Sequence, residues 1–284
     1  MSISKDDSTP TVRGPEAVGT GTGRVGDYMG YKERLADAVC RPEFPSSAVV
    51  MVISFEDPLQ LVRSVDGTAE GAYPCLVAAL HDSVLVTEHR GLQHGMAIRV
   101  SPLRAYSLLG QPMHTLSNEF VDMGVLLGAA SAHLAERLAG AYSWTQRFDV
   151  LNNALAALLA AGPVPDRAVR WAWQRLKASA GAVPIAGLAE EVGWSRRNLE
   201  RKFLQQVGLP PKTVARIFRF ERAVGLLSEA DRSLAEIAAR ARYSDQSHFS
   251  REVFAFTQRT PTELARHIRA AAHPTMADCP SPRL

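Results

Sequence analysis

Residues 185–203 read IAGLAEEVGWSRRNLERKF, and residues 234–253 read LAEIAARARYSDQSHFSREV. Each stretch predicts a short amphipathic helix, a tight turn and a second helix. In the first, Pro184 suits an opening helical turn, Gly193 supplies the turn and Ser195 can cap the helix from Arg196 to Gln206. Leu199 and Phe203, four apart, share the buried face of that helix, which leaves Arg197, Glu200 and Arg201 exposed. In the second, the turn falls at 241–244, Phe249 and Val253 point inward, and Gln246, Ser247, Ser250 and Arg251 point outward. Setting Leu199 on Phe249 and Phe203 on Val253 superposes two copies of one unit, 50 residues apart.

Between the copies, Pro211 to Ser228 reads as a single helix, with Val214, Ile217, Phe220, Val224 and Leu227 at helical spacing. A helix-turn-helix unit inserts its second helix into the major groove, and successive grooves on one face of a duplex lie about 34 Å apart. An eighteen-residue spacer helix spans roughly 27 Å, the scale needed to hold two such units in one protomer. The exposed side chains fit that task. Arginine forks onto guanine O6/N7, glutamine pairs with adenine, glutamate accepts from cytosine N4, and serine serves base or phosphate. Glu200 has an alternative, an ion pair with Arg196 one turn earlier. Arg196, Lys202 and Lys212 suit phosphates better than bases.

The net charge of +3 hides a division. Residues 166–271 hold 19 Lys/Arg against 11 Asp/Glu, whereas residues 1–165 hold 12 against 17. A basic module beside an acidic one places the polyanion-binding surface in the carboxyl-terminal half. Upstream, Ala48–Phe55, Leu59–Arg63, Cys75–Leu80, Ser83–His89 and Met96–Val100 read as strands of a small sandwich or barrel, with turns at Asp57-Pro58, Asp66-Gly67 and Arg90-Gly91. After Pro102 the rhythm turns helical, over Val125–Ala139 and over a helix capped by Ser143 that runs to Ala161. The punctuation at Ala161-Gly-Pro-Val-Pro165 marks a boundary. The expected layout is therefore a flexible leader (1–26), an amino-terminal domain (27–162, strands at about 48–102), a helical domain (167–271) and a flexible tail (272–284). The fold class is α+β overall, β-rich first and all-α last. Three distant cysteines, Cys40, Cys75 and Cys279, argue against a disulfide framework, and Cys75 reads as a small buried apolar residue. With no signal pattern and no apolar run of membrane length, the expected compartment is the cytoplasm.

The pattern Ile185, Leu188-Ala, Gly193, Ser195, Leu199, Arg201, Phe203, then Gly208-x-Pro210, Leu234-x-x-Ile237-Ala, Tyr243-Ser-Asp-Gln-Ser-His-Phe-Ser-Arg251 and Thr260-Pro261 resembles the AraC/XylS family of bacterial regulators over about residues 168–269. The resemblance implies DNA contacts at Arg197, Glu200, Arg201, Gln246, Ser247, His248, Ser250 and Arg251. It also implies a cupin-like amino-terminal domain that senses a small effector, dimerises, or both, and a contact with RNA polymerase if the protein activates. The sequence departs from the family at Arg242 and Gln258, where glycine is usual, at Val253, where phenylalanine is usual, and at Phe254, where lysine is usual. If position 242 needs positive φ, arginine costs roughly 1 kcal/mol there. The first unit is therefore the expected stronger anchor.

Other function classes remain open at this level: a cupin-type metal-dependent enzyme with a DNA-binding appendage, or a regulator controlled by a protein partner. Pocket candidates in the first half are Tyr73, His94, Arg99, Tyr106 and Trp144. His89 and His94, with Glu88, form the one dense cluster of metal-ligating types. Their spacing across Gly91 reads as a turn joining two strand ends and not as a shared strand face. No catalytic constellation, metal site or cofactor is expected.

Overall fold

The computed structural model describes residues 9–13, 26–63, 71–229 and 232–272. Apart from Thr9–Arg13 and the two boundary residues 26 and 272, the leader and the tail lie outside the described residues, as do Cys279 and the turn at Asp66-Gly67. The first half is an antiparallel, barrel-like sheet of eight strands: β1 (Thr9–Arg13), β2 (Asp27–Glu43), β3 (Val49–Ser54), β4 (Leu59–Arg63), β5 (Gly71–Tyr73), β6 (Cys75–Ala78), β7 (Leu85–Val100) and β8 (Phe120–Asp122). Their order is β1-β2-β7-β3-β6-β8, with β4 bridging β7 and β5. Strand β7 is long enough to serve two partners on one edge. Its end, Gly95–Val100, pairs with β3, while Val86–Glu88 pairs with β4.

Three features of this half differ from the sequence reading. Segment Ser83–Val100 holds one strand, not two, because Gly91, at φ 65°, stays in the ladder opposite Leu35 and makes no turn. The register against β2 slips between Leu35 and Val39, and the Asp57 carboxylate accepts the Leu92 N–H at 2.7 Å. Strand β2 was not anticipated. Its Lys, Glu, Arg and Asp residues mask the alternation of a half-buried strand. Thr9–Arg13, expected within a flexible leader, forms an edge strand, the position in a sheet that tolerates Pro10.

The helices follow as α1 (Pro102–Leu109), α2 (Met123–Leu127), α3 (Ala129–Ala139), α4 (Trp144–Ala161), α5 (Arg167–Ala178), α6 (Ile185–Glu191), α7 (Arg196–Val207), α8 (Pro211–Ser228), α9 (Leu234–Arg240), α10 (Gln246–Thr257) and α11 (Pro261–Ala272). A single 3-10 turn, Met113–Thr115, follows α1. The expected helix Val125–Ala139 is interrupted at Gly128, whose φ of 59° ends α2. Ser143 caps α4 as anticipated, its hydroxyl accepting from the Gln146 N–H at 3.2 Å.

Two apolar cores result. One joins Val49, Met51, Ile53, Met96, Ile98 and Val100 on a single sheet face to Leu108, Phe148, Leu151 and Leu155. The other gathers Leu188, Leu199, Phe203, Ile217, Phe220, Phe249, Val253 and Phe256, and it also includes Leu80 and Leu103 from the first half. The last turn of α7 thus packs on α1 and on the 3-10 turn. Further contacts tie the halves together. The Ser47 N–H donates to Glu221 Oε1 at 2.7 Å, and the Phe44 and His267 rings meet edge-on at 5.6 Å.

Gly208 sits at the tightest point of this seam, with φ 102°. A Cβ there would collide with Ser117 Oγ and come within 3.1 Å of the Met113 carbonyl. Gly208→Ala is expected to destabilise the chain by about 2 kcal/mol in urea unfolding. Adding Ser117→Gly should recover part of that loss. An alanine variant as stable as the parent would show that the seam is slack.

Candidate nucleic-acid interface

The two copies share one backbone design. In the first turn, Gly193 donates to the Glu190 carbonyl and Trp194 to the Ala189 carbonyl, both at 3.0 Å. In the second, Arg242 donates to Ala239 at 3.1 Å and Tyr243 to Ala238 at 2.9 Å. These matches run 49 residues apart, whereas the caps Ser195 and Asp245 are 50 apart, so the second turn carries one extra residue, Ser244. Gly193 and Arg242 both hold left-handed φ, 68° and 65°. The helix ends match too. Gly208 and Gln258 each close their helix with positive φ and donate to the carbonyl four residues back. The positive φ suspected at position 242 is present, and Gln258 bears the same strain.

Inside each unit a charged pair ties the second helix to the segment that precedes the unit, the cap of α5 in the first and α8 in the second. Lys202 Nζ lies 3.2 Å from Asp166 Oδ2. Glu252, 50 residues after Lys202 and 6% exposed, receives Arg216 Nε at 2.9 Å. Burial, reinforced by the Glu252 carboxylate, pushes the Tyr243 phenol well above its ordinary pKa.

Most of the sequence-nominated residues lie on open surface. On α7, Arg196 and Arg197 are exposed at the helix start, and Arg201 follows one turn after Arg197. Arg197 has no side-chain partner among the described residues. Arg196 Nε donates to Glu200 Oε1 at 2.9 Å, so the alternative ion pair for Glu200 is formed. Arg201 rests on Asn198 Oδ1 at 2.9 Å. Lys212, in the first turn of α8, is exposed, whereas Lys202 is engaged with Asp166.

On α10, Asp245 caps the helix by accepting the His248 N–H at 2.7 Å, and Gln246 and Ser247 are exposed in its first turn. Ser250 donates to the Gln246 carbonyl at 2.9 Å, which leaves its oxygen as an acceptor. Arg251 keeps one donor on the Ser247 carbonyl at 3.3 Å and projects the remainder of its fork. His248 is tied inward. Its Nδ1 lies 3.0 Å from Ser244 Oγ, and its ring stands edge-on to Tyr243 at 5.2 Å. Phe254, one turn beyond Ser250 and Arg251, is 51% exposed and adds an apolar ring to the same face.

The amino-terminal half holds a second assembly. On the sheet face opposite its apolar core, cross-strand partners bring Tyr31, Glu33 and Arg41 beside Gly95, Gln93 and Thr87. Ser54, paired with Gly95, joins them. Ser54, Thr87 and Gln93 are buried, and the Tyr31 phenol lies against the Ser54 hydroxyl. His89 lies on this face, its Nε2 3.0 Å from Thr87 Oγ1, and burial followed by the Arg41 charge pushes its pKa down to about 4. Among the earlier pocket candidates, His94 and Trp144 do meet, ring to ring at 5.8 Å, but on the opposite, apolar face. His89 and His94 therefore point to different sides of one strand. Among the described residues no three His, Cys, Asp or Glu side chains gather into a metal-binding group. No described helix is long and apolar enough to cross a membrane.

Residues 188–267 match the sequence family described as a helix-turn-helix domain. The chain carries an AraC-type helix-turn-helix domain. Over 63 residues it is 38% identical to the HTH-type transcriptional activator RhaS of Escherichia coli (strain SE11), a match spanning 22% of this chain and 23% of that one. Over 70 residues it is 39% identical to the F1 operon positive regulatory protein of Yersinia pestis, spanning 24% and 23%. The chain thus covers under a quarter of the length of these curated relatives. Among solved structures, an AraC-type regulator from Chromobacterium violaceum aligns at 28% identity over 38% of this chain and 95% of its own, with a TM-score of 0.34. ToxT from Vibrio cholerae aligns at 12% identity over 84% and 97%, with a TM-score of 0.49.

Within the AraC-type domain, the left-handed residues make a direct test of the duplicated turn. Arg242→Gly and Gln258→Gly should each stabilise the chain by about 1 kcal/mol, because glycine adopts positive φ without the Cβ penalty. The gain is read as a rise in the urea midpoint with an unchanged slope. A neutral or negative result at both positions would mean that the second unit carries no strain to relieve.

Proposed function

We propose that the chain is a sequence-specific transcription regulator whose two helix-turn-helix units enter successive major grooves on one face of double-stranded DNA. The observation that carries this reading is the repeat: two copies with the same turn hydrogen bonds, joined by α8 and each presenting unburied polar side chains on its second helix. Arg197 and Arg201 read from α7. Gln246, Ser247, Ser250 and Arg251 read from α10, and Phe254 offers an apolar contact of the kind thymine methyl groups accept. Arg196 and Lys212 serve phosphates. Glu200 orients Arg196, and His248 braces the second turn beside its reading helix. The reading domain occupies 167–271 and the sensing domain 27–162, a division supported by a core for each half, with Leu80 and Leu103 reaching across into the helical one.

The amino-terminal sheet acts as a cupin-like sensor. Its buried polar face of Ser54, Thr87 and Gln93 suits a small polar effector better than an apolar one. The curated relatives are named as an activator and a positive regulator, and we extend that direction to this chain, with RNA polymerase as the partner it would engage.

Selection of bound duplexes from a random pool, followed by binding measurements on the selected site, tests the reading. Arg197→Ala and Gln246→Ala should each lose about 1–3 kcal/mol on the selected site and little on unrelated DNA. Lys212→Ala should weaken both alike and reduce the salt slope by about 1. A chain that selects no sequence, or base-reading variants that lose affinity equally everywhere, would overturn sequence-specific reading.

A further inference from the structure

The duplication exposes a place where one copy is filled and the other is not. In the second unit the Arg219 guanidinium, carried by α8, lies 5.4 Å from the centre of the Tyr243 ring, and Tyr243 is 6% exposed. Trp194 holds the same position in the first turn, by the same backbone hydrogen bond. The helix that precedes the first unit is α5, and its buried Val169, Ala172 and Leu176 repeat the spacing of Phe220, Ala223 and Leu227 on α8. That spacing sets Ala168 in the place of Arg219. Among the described residues no cation lies over Trp194. A cleft of about 480 Å³ opens there instead, lined by Asp166, Arg167, Ala168, Trp171, Glu191 and Trp194.

We propose that this cleft is a binding site for a small molecule bearing a guanidinium group, which takes over Trp194 the place that Arg219 takes over Tyr243. An indole face attracts a cation through its quadrupole, more strongly than a phenol or phenyl ring does. Two carboxylates, Asp166 and Glu191, line the cleft beside the Arg167 guanidinium, Asp166 also facing Lys202 at 3.2 Å and Glu191 facing Arg175 at 3.7 Å. The pull on a guanidinium guest therefore comes from the uncovered Trp194 face and not from surplus negative charge. The other indole already shows the preference. The Arg175 guanidinium lies 5.6 Å from the Trp171 ring and 3.7 Å from Glu191. The volume falls within the range of small-molecule sites. Trp194 directly precedes Ser195, whose hydroxyl caps α7, so the guest sits beside the start of the first reading helix. The site is independent of the polar face of the amino-terminal sheet and of any DNA-reading role.

The test uses the full chain with ¹⁵N-labelled tryptophan and agmatine as the probe, with no DNA present. The indole N–H signals of Trp171 and Trp194, assigned through Trp171→Phe and Trp194→Phe, should shift on titration while those of Trp144 and Trp173 stay in place. N-butylurea, a neutral guest of similar shape, should bind at least about tenfold more weakly. Ala168→Arg supplies the cation from the chain itself, and it should weaken agmatine at least about tenfold without lowering the melting temperature. Glu191→Gln, a smaller change, should weaken it by about threefold. No shift at Trp171 or Trp194 up to about 10 mM agmatine, equal binding of butylurea, or unchanged affinity in both variants would each overturn the proposal.

Discussion

The arrangement depends on the burial of the last turn of α7 against the amino-terminal half. Phe203, Val207 and Leu209 belong to the helical core, yet Leu80 and Leu103 from the other half complete that core. Gly208 lets the backbone close onto Met113 and Ser117, where any side chain would intrude. One end of α7 is thereby fixed to the sheet-bearing half, while its other end, with Arg196 and Arg197, stays open to solvent. A rigid contact of this kind is the physical route by which a change in one half can bias the other, because packed interfaces shift between discrete arrangements and do not deform smoothly.

The two copies are alike in hydrogen bonding and unlike in what covers them. The first uses glycine at both left-handed positions, and the second holds an arginine and a glutamine there. The second recovers stability elsewhere. Ser233 and Glu236 form a reciprocal cap at the start of α9, and Thr260 and Glu263 exchange hydrogen bonds at the start of α11. The buried Glu252–Arg216 pair adds a further tie, one that is strong only while both partners remain.

The helical half was legible in the sequence because its signals are local. Leu199 with Phe203 and Phe249 with Val253 declare their faces at four-residue spacing, and Ser195 and Asp245 declare the helix starts. The sheet was read less well, for physical reasons. Strand β2 carries charges on a half-buried surface, and its pairing is settled by β7, more than fifty residues away in sequence for most of its length. Gly91 holds a left-handed φ inside a continuous strand just as it would in a turn, and local sequence does not tell the two apart. The polar face of Tyr31, Ser54, Thr87 and Gln93 was invisible for the same reason, since three strands assemble it. The engagement of Lys202 by Asp166 depends on a residue in the connection before α5, which no reading of α7 alone supplies.

The charged pairs bear on how freely the duplicated halves can be exchanged. Asp166 faces Lys202, but Arg216 faces Glu252, with the polarity reversed. Transplanting α10 into the place of α7 would oppose two carboxylates, and the reverse graft would oppose lysine to arginine. Each copy is keyed to its own neighbour, so the two units are interchangeable in backbone and not in side chains.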